Sequence, residues 1–372
     1  MNKDFTFAVI GAGNGGMAMA GYLSLIGYKV NLYNRTLENI LPLIKNPTIS
    51  LTGEVEGVGV LNKATNIIGE AIEGADVIMV TVPAMGHYPL AVAMAPYLTD
   101  GQVIVLNPGR TGGALEVYEA IKKHSPDKEI IVAEAQTFIY ACRATSSNSA
   151  HIFQVKNEVK LAAIPSEKTN HVLNLLKFAY PQFVPARDVL ETSINNYGAI
   201  FHPAPTLLNS GHIERGAPFE YYIEGITPSI GAFLEKMDNE RMEIGKALQI
   251  NTLSAKDWLY ESYGAEGNNL YETVQACNAY KGLQAPKGLQ IRYIYEDVPY
   301  SLIPMASIAR ELGIKTPAIN SIINLASLMT GKDFFENGRT IERLGLRGLS
   351  VYEMHKYAQT GKIDKKDREG VA

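Results

Sequence analysis

The first half of the chain alternates two kinds of hydrophobic pattern. Short, almost uninterrupted apolar runs occupy residues 7–10, 29–33, 77–80, 103–106 and 130–132. Such runs, rich in β-branched side chains, are what parallel strands need when both faces are buried. Between them, residues 16–26, 89–98 and 114–123 carry apolar positions at helical spacing. The alternation predicts βαβ units with right-handed crossovers, and so an α/β Rossmann domain: a parallel sheet with helices on both faces. Two stretches depart from it. Residues 48–61 hold Thr52-Gly53 between alternating runs and predict a small hairpin. Residues 152–155 and 159–163, separated by Lys156-Asn157-Glu158, predict an antiparallel pair that closes the domain, with a helix over 167–179 after it.

Beyond Val189 the strand signal fades. Residues 228–248, 255–263, 270–279, 300–312 and 318–329 have helical patterning and are separated by Pro, Gly and Asn clusters. A mostly α-helical C-terminal domain is expected, with the division at 1–188 and 189–372. The charged tail, 362–372, is expected to fray.

Bulk properties narrow the possibilities. At 372 residues the chain exceeds the size of one core, and 46% apolar residues suffice for two. A net charge of −4 with no basic block argues against a nucleic-acid partner. Cys142 and Cys277 lack metal-ligand spacing, so neither a disulfide framework nor a metal site is expected. The most apolar early stretch, residues 5–28, is broken by six glycines, and the N-terminus lacks the pattern of a secretory signal. The expectation is a cytoplasmic protein with no membrane span.

Gly11-Ala12-Gly13-Asn14-Gly15-Gly16 follows the first run and opens the first helix. In that context a GxGxxG is a dinucleotide fingerprint. Gly11 permits the tight turn, Gly13 lets backbone approach the pyrophosphate, and Gly16 lets helix and strand pack closely. Asn14 opens the helix whose free N–H groups would face the phosphates. The second strand ends in Asn34-Arg35-Thr36, where an NAD site usually has Asp or Glu for the ribose hydroxyls. A neutral Asn34 removes repulsion of a 2′-phosphate, while Arg35 and Thr36 can bind it. NADP(H) is therefore expected over NAD(H), although Arg35 stacked on adenine or left in solvent would fit the same residues. Pro83 leads the loop after the third strand, and Arg110 lies in the glycine-rich loop after the fourth. Both fall at the carboxyl edge of the sheet, where Pro83 can line the nicotinamide pocket and Arg110 can grip a carboxylate. A solvated turn arginine is the plainer reading of Arg110.

Of seven histidines, His202 stands apart. It lies just past the expected domain junction, in a proline-broken stretch, Phe201-His202-Pro203-Ala204-Pro205. A reductase acting on C=O or C=N needs an acid/base near neutral pH, which histidine supplies. A structural histidine would suit the same stretch.

Taken together, these residues make the chain resemble the opine dehydrogenases, the octopine/nopaline dehydrogenase family. The resemblance rests on Gly11–Gly16, Val82-Pro83-Ala84, His202-Pro203-Ala204-Pro205 with Asn209, and the stretch from Arg292 through Asp297 to Pro299. It implies a Rossmann domain and a helical domain. It also implies an NAD(P)H-dependent condensation of an amino acid with a 2-oxo acid such as pyruvate. His202 and Asp297 would form the catalytic pair and Arg292 would meet the cofactor pyrophosphate. Glu134, Thr137 and Asn209 would contact substrate, with Ala135 rather than a polar residue after Glu134. Two other readings stay open: a ketopantoate-reductase-type enzyme and a non-catalytic NADP(H) sensor. The first generally needs a lysine early in the helical domain, and none occurs between Glu191 and Leu234. Apolar residues 321–329 suggest a homodimer.

Overall fold

A computed structural model describes residues 5–363, and the tail expected to fray lies, from 364 on, outside the described residues. The chain divides into two compact units, Met1–Thr192 with Tyr352–Ala372, and Ser193–Val351. Among the described residues no helix is long and apolar enough to cross a membrane.

The first unit contains strands β1 Thr6–Ile10, β2 Lys29–Tyr33, β3 Thr48–Gly53, β4 Gly57–Val60, β5 Lys63–Thr65, β6 Val77–Val80, β7 Val103–Leu106, β8 Ile131–Ala135, β9 Tyr140–Ser146, β10 Ser149–Val155, β11 Val159–Ile164 and β12 Phe183–Pro185. Eight form one sheet in the order β12-β11-β8-β7-β6-β1-β2-β5. From β5 to β8 every pairing is parallel. Only β11 runs antiparallel to its neighbour β8. Every residue of β6, β7 and β8 is buried, which is why these strands read as unbroken apolar runs. Strand order reverses between β1 and β6, and the carboxyl ends at such a switch point are where open α/β sheets take ligands.

A second sheet, β4-β3-β10-β9, covers the helix Asn14–Leu25. Its hairpin β3–β4 is the one the sequence predicts. A Cβ on Gly59 of β4 would sit 2.2 Å from Ser24 Oγ, so this sheet and helix meet at a glycine.

The expected antiparallel pairing of residues 152–155 with 159–163 is not formed. Strand β10 pairs with β3 and β9 in the small sheet, while β11 joins β8 and β12 in the large one. Burial explains the separation. Near its centre β10 buries alternate residues, Ala150 and Ile152, and needs cover on one face; β11 buries nearly every position and needs both. Lys156-Asn157-Glu158 is thus a crossing between sheets, with Lys156 N–H donating to Ile139 O at 2.9 Å.

The C-terminal helix Val351–Thr360, expected with the helical half, packs on the first unit. His355 Nδ1 lies 2.9 Å from Asp188 Oδ2, the Tyr357 hydroxyl donates to Glu119, and the Tyr118 hydroxyl donates to Gly361 O at 3.2 Å. These partners give a short amphipathic helix the cover it needs.

The second unit is helical, with Pro228–Ala247 its longest helix. Thr227, Ser254 and Asn269 cap Pro228–Ala247, Ala255–Tyr263 and Leu270–Ala276 by accepting backbone N–H bonds, the chemistry expected of such residues at helix starts. Arg241, fully buried in the long helix, is neutralised by Asp238 at 2.7 Å and also donates to Ile194 O. A buried guanidinium is tolerable only when paired in this way.

Candidate active site

The glycine loop joins β1 to the helix Asn14–Leu25. Gly11 has φ +109°, in the region favouring glycine, and its N–H donates to Tyr33 O at 2.8 Å. A Cβ on Gly16 would lie 1.6 Å from Gly11 O, so only glycine allows this helix to start against the strand. Gly13 is the N-cap, no side chain caps the first turn, and a Cβ there would meet nothing within 4 Å. An open space over uncapped N–H groups at the positive end of a twelve-residue helix fits a dinucleotide pyrophosphate. The Asn14 side chain is used otherwise: its Oδ1 accepts from Ala144 N at 2.9 Å and ties the loop to the small sheet. Phe138, which sequence reasoning missed, closes over Gly15, where a Cβ would meet its ring at 2.7 Å.

At the end of β2, Asn34 braces the loop. Its Oδ1 accepts from Ala12 N at 3.3 Å and its Nδ2 donates to Thr36 O at 3.0 Å. Arg35 and Thr36 are exposed beside it, with Thr36 at the N-cap of the helix Leu37–Lys45. Pro83 is exposed just beyond β6, and the Thr81 hydroxyl donates to Gly11 O at 3.1 Å. The structure thus brings Gly11, Gly13, Gly16, Asn34 and the start of the Pro83 loop to one sheet edge.

A second group of side chains gathers at the ends of β7, β8 and β10. Arg110 has a left-handed backbone, φ +61°, uncommon for a non-glycine residue. Glu134, 1% exposed, is committed to the scaffold: its Oε2 accepts from Ala114 N at 2.8 Å and its Oε1 from the Thr192 hydroxyl at 2.6 Å. Thr137 Oγ1 accepts from Lys156 Nζ at 2.7 Å. Burial, helped by the nearby Arg110 guanidinium, lowers the Lys156 ammonium to about 8. Sequence reasoning took Lys156 for a turn residue. Its place at the end of a strand with period-two burial was the available signal.

In the second unit, Pro203 starts the helix Pro203–Leu208 at the position where its missing N–H costs nothing, and so leaves His202 at the junction with the helix Gly198–Phe201. The His202 carbonyl accepts from the Thr206 hydroxyl at 2.8 Å and from the Tyr221 hydroxyl at 2.6 Å, which fixes the backbone. His202 Nδ1 meets Asp297 Oδ2 at 2.9 Å, with Asp297 fully buried and the imidazole one-fifth exposed. The other carboxylate oxygen accepts from the Ser301 hydroxyl at 3.2 Å, and Ser301 Oγ accepts from Asn196 Nδ2 at 2.9 Å. Tyr293 stacks on the imidazole, centroids 4.2 Å apart and planes within 10°. A carboxylate accepting from Nδ1–H leaves Nε2 to exchange protons. Arg292 and Asn209 are engaged elsewhere in this unit. Arg292 Nη2 pairs with buried Glu296 at 2.6 Å, and Asn209 Nδ2 donates to the carbonyls of Pro205 and Gly225, each at 2.8 Å.

A Rossmann unit with a dinucleotide loop, joined to a helical unit with a His–Asp pair, defines a two-domain NAD(P)-dependent oxidoreductase. Residues 185–330 match the family model described as the NAD/NADP octopine/nopaline dehydrogenase alpha-helical domain. Residues 6–110 match the NAD binding domain of 6-phosphogluconate dehydrogenase. An opine dehydrogenase from Arthrobacter is 39% identical over 352 residues, covering 94% of this chain and 98% of the relative. Vitopine synthase from Allorhizobium ampelinum is 24% identical over 363 residues, covering 93% and 97%. Octopine dehydrogenase in complex with NADH and agmatine has the same fold, with a TM-score of 0.79 at 23% identity over 96% of this chain and 98% of that one. The chain belongs to the octopine/nopaline dehydrogenase family, the opine dehydrogenases. That decides against the ketopantoate-reductase and sensor readings.

Proposed function

We propose that the protein reductively condenses the amino group of an amino acid with a 2-oxo acid such as pyruvate, using NADP(H) in preference to NAD(H), with His202 and Asp297 as its acid/base pair. The observation that carries this reading is the 2.9 Å contact of His202 Nδ1 with a fully buried carboxylate 95 residues away. Asp297 holds one tautomer and stabilises the imidazolium, so that Nε2 gives and takes protons. During condensation the amine nitrogen bonds to the carbonyl carbon and the oxygen leaves as water. His202 protonates that oxygen and accepts the proton the nitrogen loses. A nicotinamide dinucleotide held by the Gly11–Gly16 loop would supply the hydride for reduction of the imine. Gly11, Gly13 and Gly16 let the dinucleotide backbone approach, and Pro83 lines the nicotinamide side. Neutral Asn34 with exposed Arg35 and Thr36 supports the 2′-phosphate of NADP(H). Arg292, Arg110, Glu134, Thr137 and Asn209 keep the roles the family resemblance and the loop position imply. For Glu134 and Asn209, whose bonds are internal, support of the substrate-binding backbone is the form those roles take.

Octopine dehydrogenase has been solved with L-arginine and with pyruvate. Small anionic or zwitterionic substrates of that kind suit the arginines here, with pyruvate the first oxo acid to try. A homodimer through the helical unit is supported by Leu328, 82% exposed on the helix Pro317–Thr330. The acid/base assignment is tested by His202→Ala. Turnover should fall ~10²–10⁴-fold while NADPH affinity stays near wild type. Unchanged turnover would remove His202 from the reaction.

A further inference from the structure

We infer that Ser301 and Asn196 are positioning residues of the His202–Asp297 pair: Asn196 sets the direction of the Ser301 hydroxyl, and that hydroxyl holds the Asp297 carboxylate ionised with Oδ2 turned to the imidazole. Their service to turnover rests on the acid/base role proposed above; the hydrogen-bond chain itself does not.

The chain is shut away from solvent. Asp297 and Ser301 are fully buried and Asn196 is 4% exposed. Ser301 Oγ accepts from Asn196 Nδ2 at 2.9 Å and donates to Asp297 Oδ1 at 3.2 Å. An amide N–H can only donate and a hydroxyl has one proton, so Asn196 takes up a lone pair of Oγ and leaves the proton for the carboxylate. The chain therefore has one polarity, from Asn196 through Ser301 to Asp297, and ends on His202 Nδ1 at 2.9 Å. The backbone is shaped for it. Ser301 lies in a single π-helical turn, Val298–Leu302, closed by Ile303 N–H on Val298 O. The carbonyl of Pro299, within the same turn, takes Arg339 N–H at 2.9 Å. Single turns of this kind are rare and gather at functional sites.

The sign of the effect follows from net charge. While His202 is neutral, the pair carries one buried negative charge; once Nε2 takes a proton, the pair as a whole is neutral. A donor on Oδ1 stabilises the first state more than the second. Without it the added proton is held more tightly, either as imidazolium or with the carboxyl protonated and Nδ1 turned acceptor. In both forms Nε2 already carries hydrogen and cannot act as a base. Ionisable groups facing the pair are Tyr293, stacked on the ring, Tyr221, bonded to the His202 carbonyl, and Glu296, next to Asp297 and paired with Arg292. Changes at Ser301 and Asn196 alter none of them.

The test is a pH titration of the full chain labelled with 15N-histidine, read by NMR at His202. In Ser301→Ala the pH at which Nε2 takes up its proton should rise by about one to two units relative to wild type, the size of a lost charge-assisted bond. Asn196→Ala, which frees the hydroxyl to turn away, should give a smaller rise, and Ser301→Thr should restore the wild-type midpoint. Unmoved signals from the remaining histidines show that a variant is folded. Where Ser301→Ala fails that control, Ser301→Cys, a weaker donor of similar size, is titrated in its place with the same expected direction. A midpoint unchanged in the folded variant overturns the positioning role, and two-substrate turnover would survive that result. A Ser301-dependent midpoint in a protein without such turnover keeps the positioning chain and removes the dehydrogenase reading.

Discussion

The glycine loop of the first unit and the His202–Asp297 pair of the second are built from opposite materials. The loop is backbone: its first turn has no side-chain cap, and Gly16 is required because a Cβ would come 1.6 Å from Gly11 O. The pair is side chain: an imidazole and a carboxylate brought together from 95 residues apart and braced by Ser301, Asn196 and the ring of Tyr293. A site made of backbone fails by volume. A site made of side chains fails by the loss of one titratable atom and tolerates changes of bulk around it. The two should therefore separate cleanly, binding from turnover.

The sharpest break is Gly16→Ala. One methyl group against a backbone oxygen should abolish dinucleotide binding in a fluorescence titration, and wild-type affinity in that variant would contradict the geometry of the loop. A smaller effect is expected at the edge of the same site. Arg35→Ala should weaken NADPH by about 10-fold or more, the size of a lost charge-assisted contact, and leave NADH nearly unchanged. Equal weakening of both would end the 2′-phosphate assignment. The smallest effect concerns pH. Burial and Arg110 lower the Lys156 ammonium to about 8, below its usual 10.5, so its charge is present below that pH and lost above it. An NMR titration of the Lys156 side chain should show a midpoint well below that of an exposed lysine, and a midpoint at the ordinary lysine value would contradict its burial.

The same contrast explains what the sequence made legible. Strands β6, β7 and β8 announce themselves because parallel strands buried on both faces must be apolar throughout, and the glycine fingerprint is local, with its spacing and context contained in six residues. The His–Asp pair has no local pattern. Nothing in the periodicity around Phe201-His202-Pro203 points to Asp297, and only the resemblance to the family joined them. The failed pairing of β10 with β11 is instructive in another way. Lys156-Asn157-Glu158 has the polarity of a hairpin turn, yet the central alternation of Ala150 and Ile152 against the near-continuous burial of β11 shows that the two strands serve different sheets. Reading a turn there also hid Lys156, whose partner Thr137 lies in another segment. Tyr293 was missed for the same reason: a ring stacked on His202 is a tertiary fact with no trace in spacing.

The central claim is the two-substrate reaction, and NADPH consumption tests it most directly. Pyruvate should be screened against the twenty amino acids one at a time, with each substrate alone as a control. The account predicts oxidation only when an amino acid and the oxo acid are both present, with one molecule of secondary amine product formed per NADPH. Oxidation at the same rate with pyruvate alone would contradict it and make the protein a simple 2-oxo acid reductase.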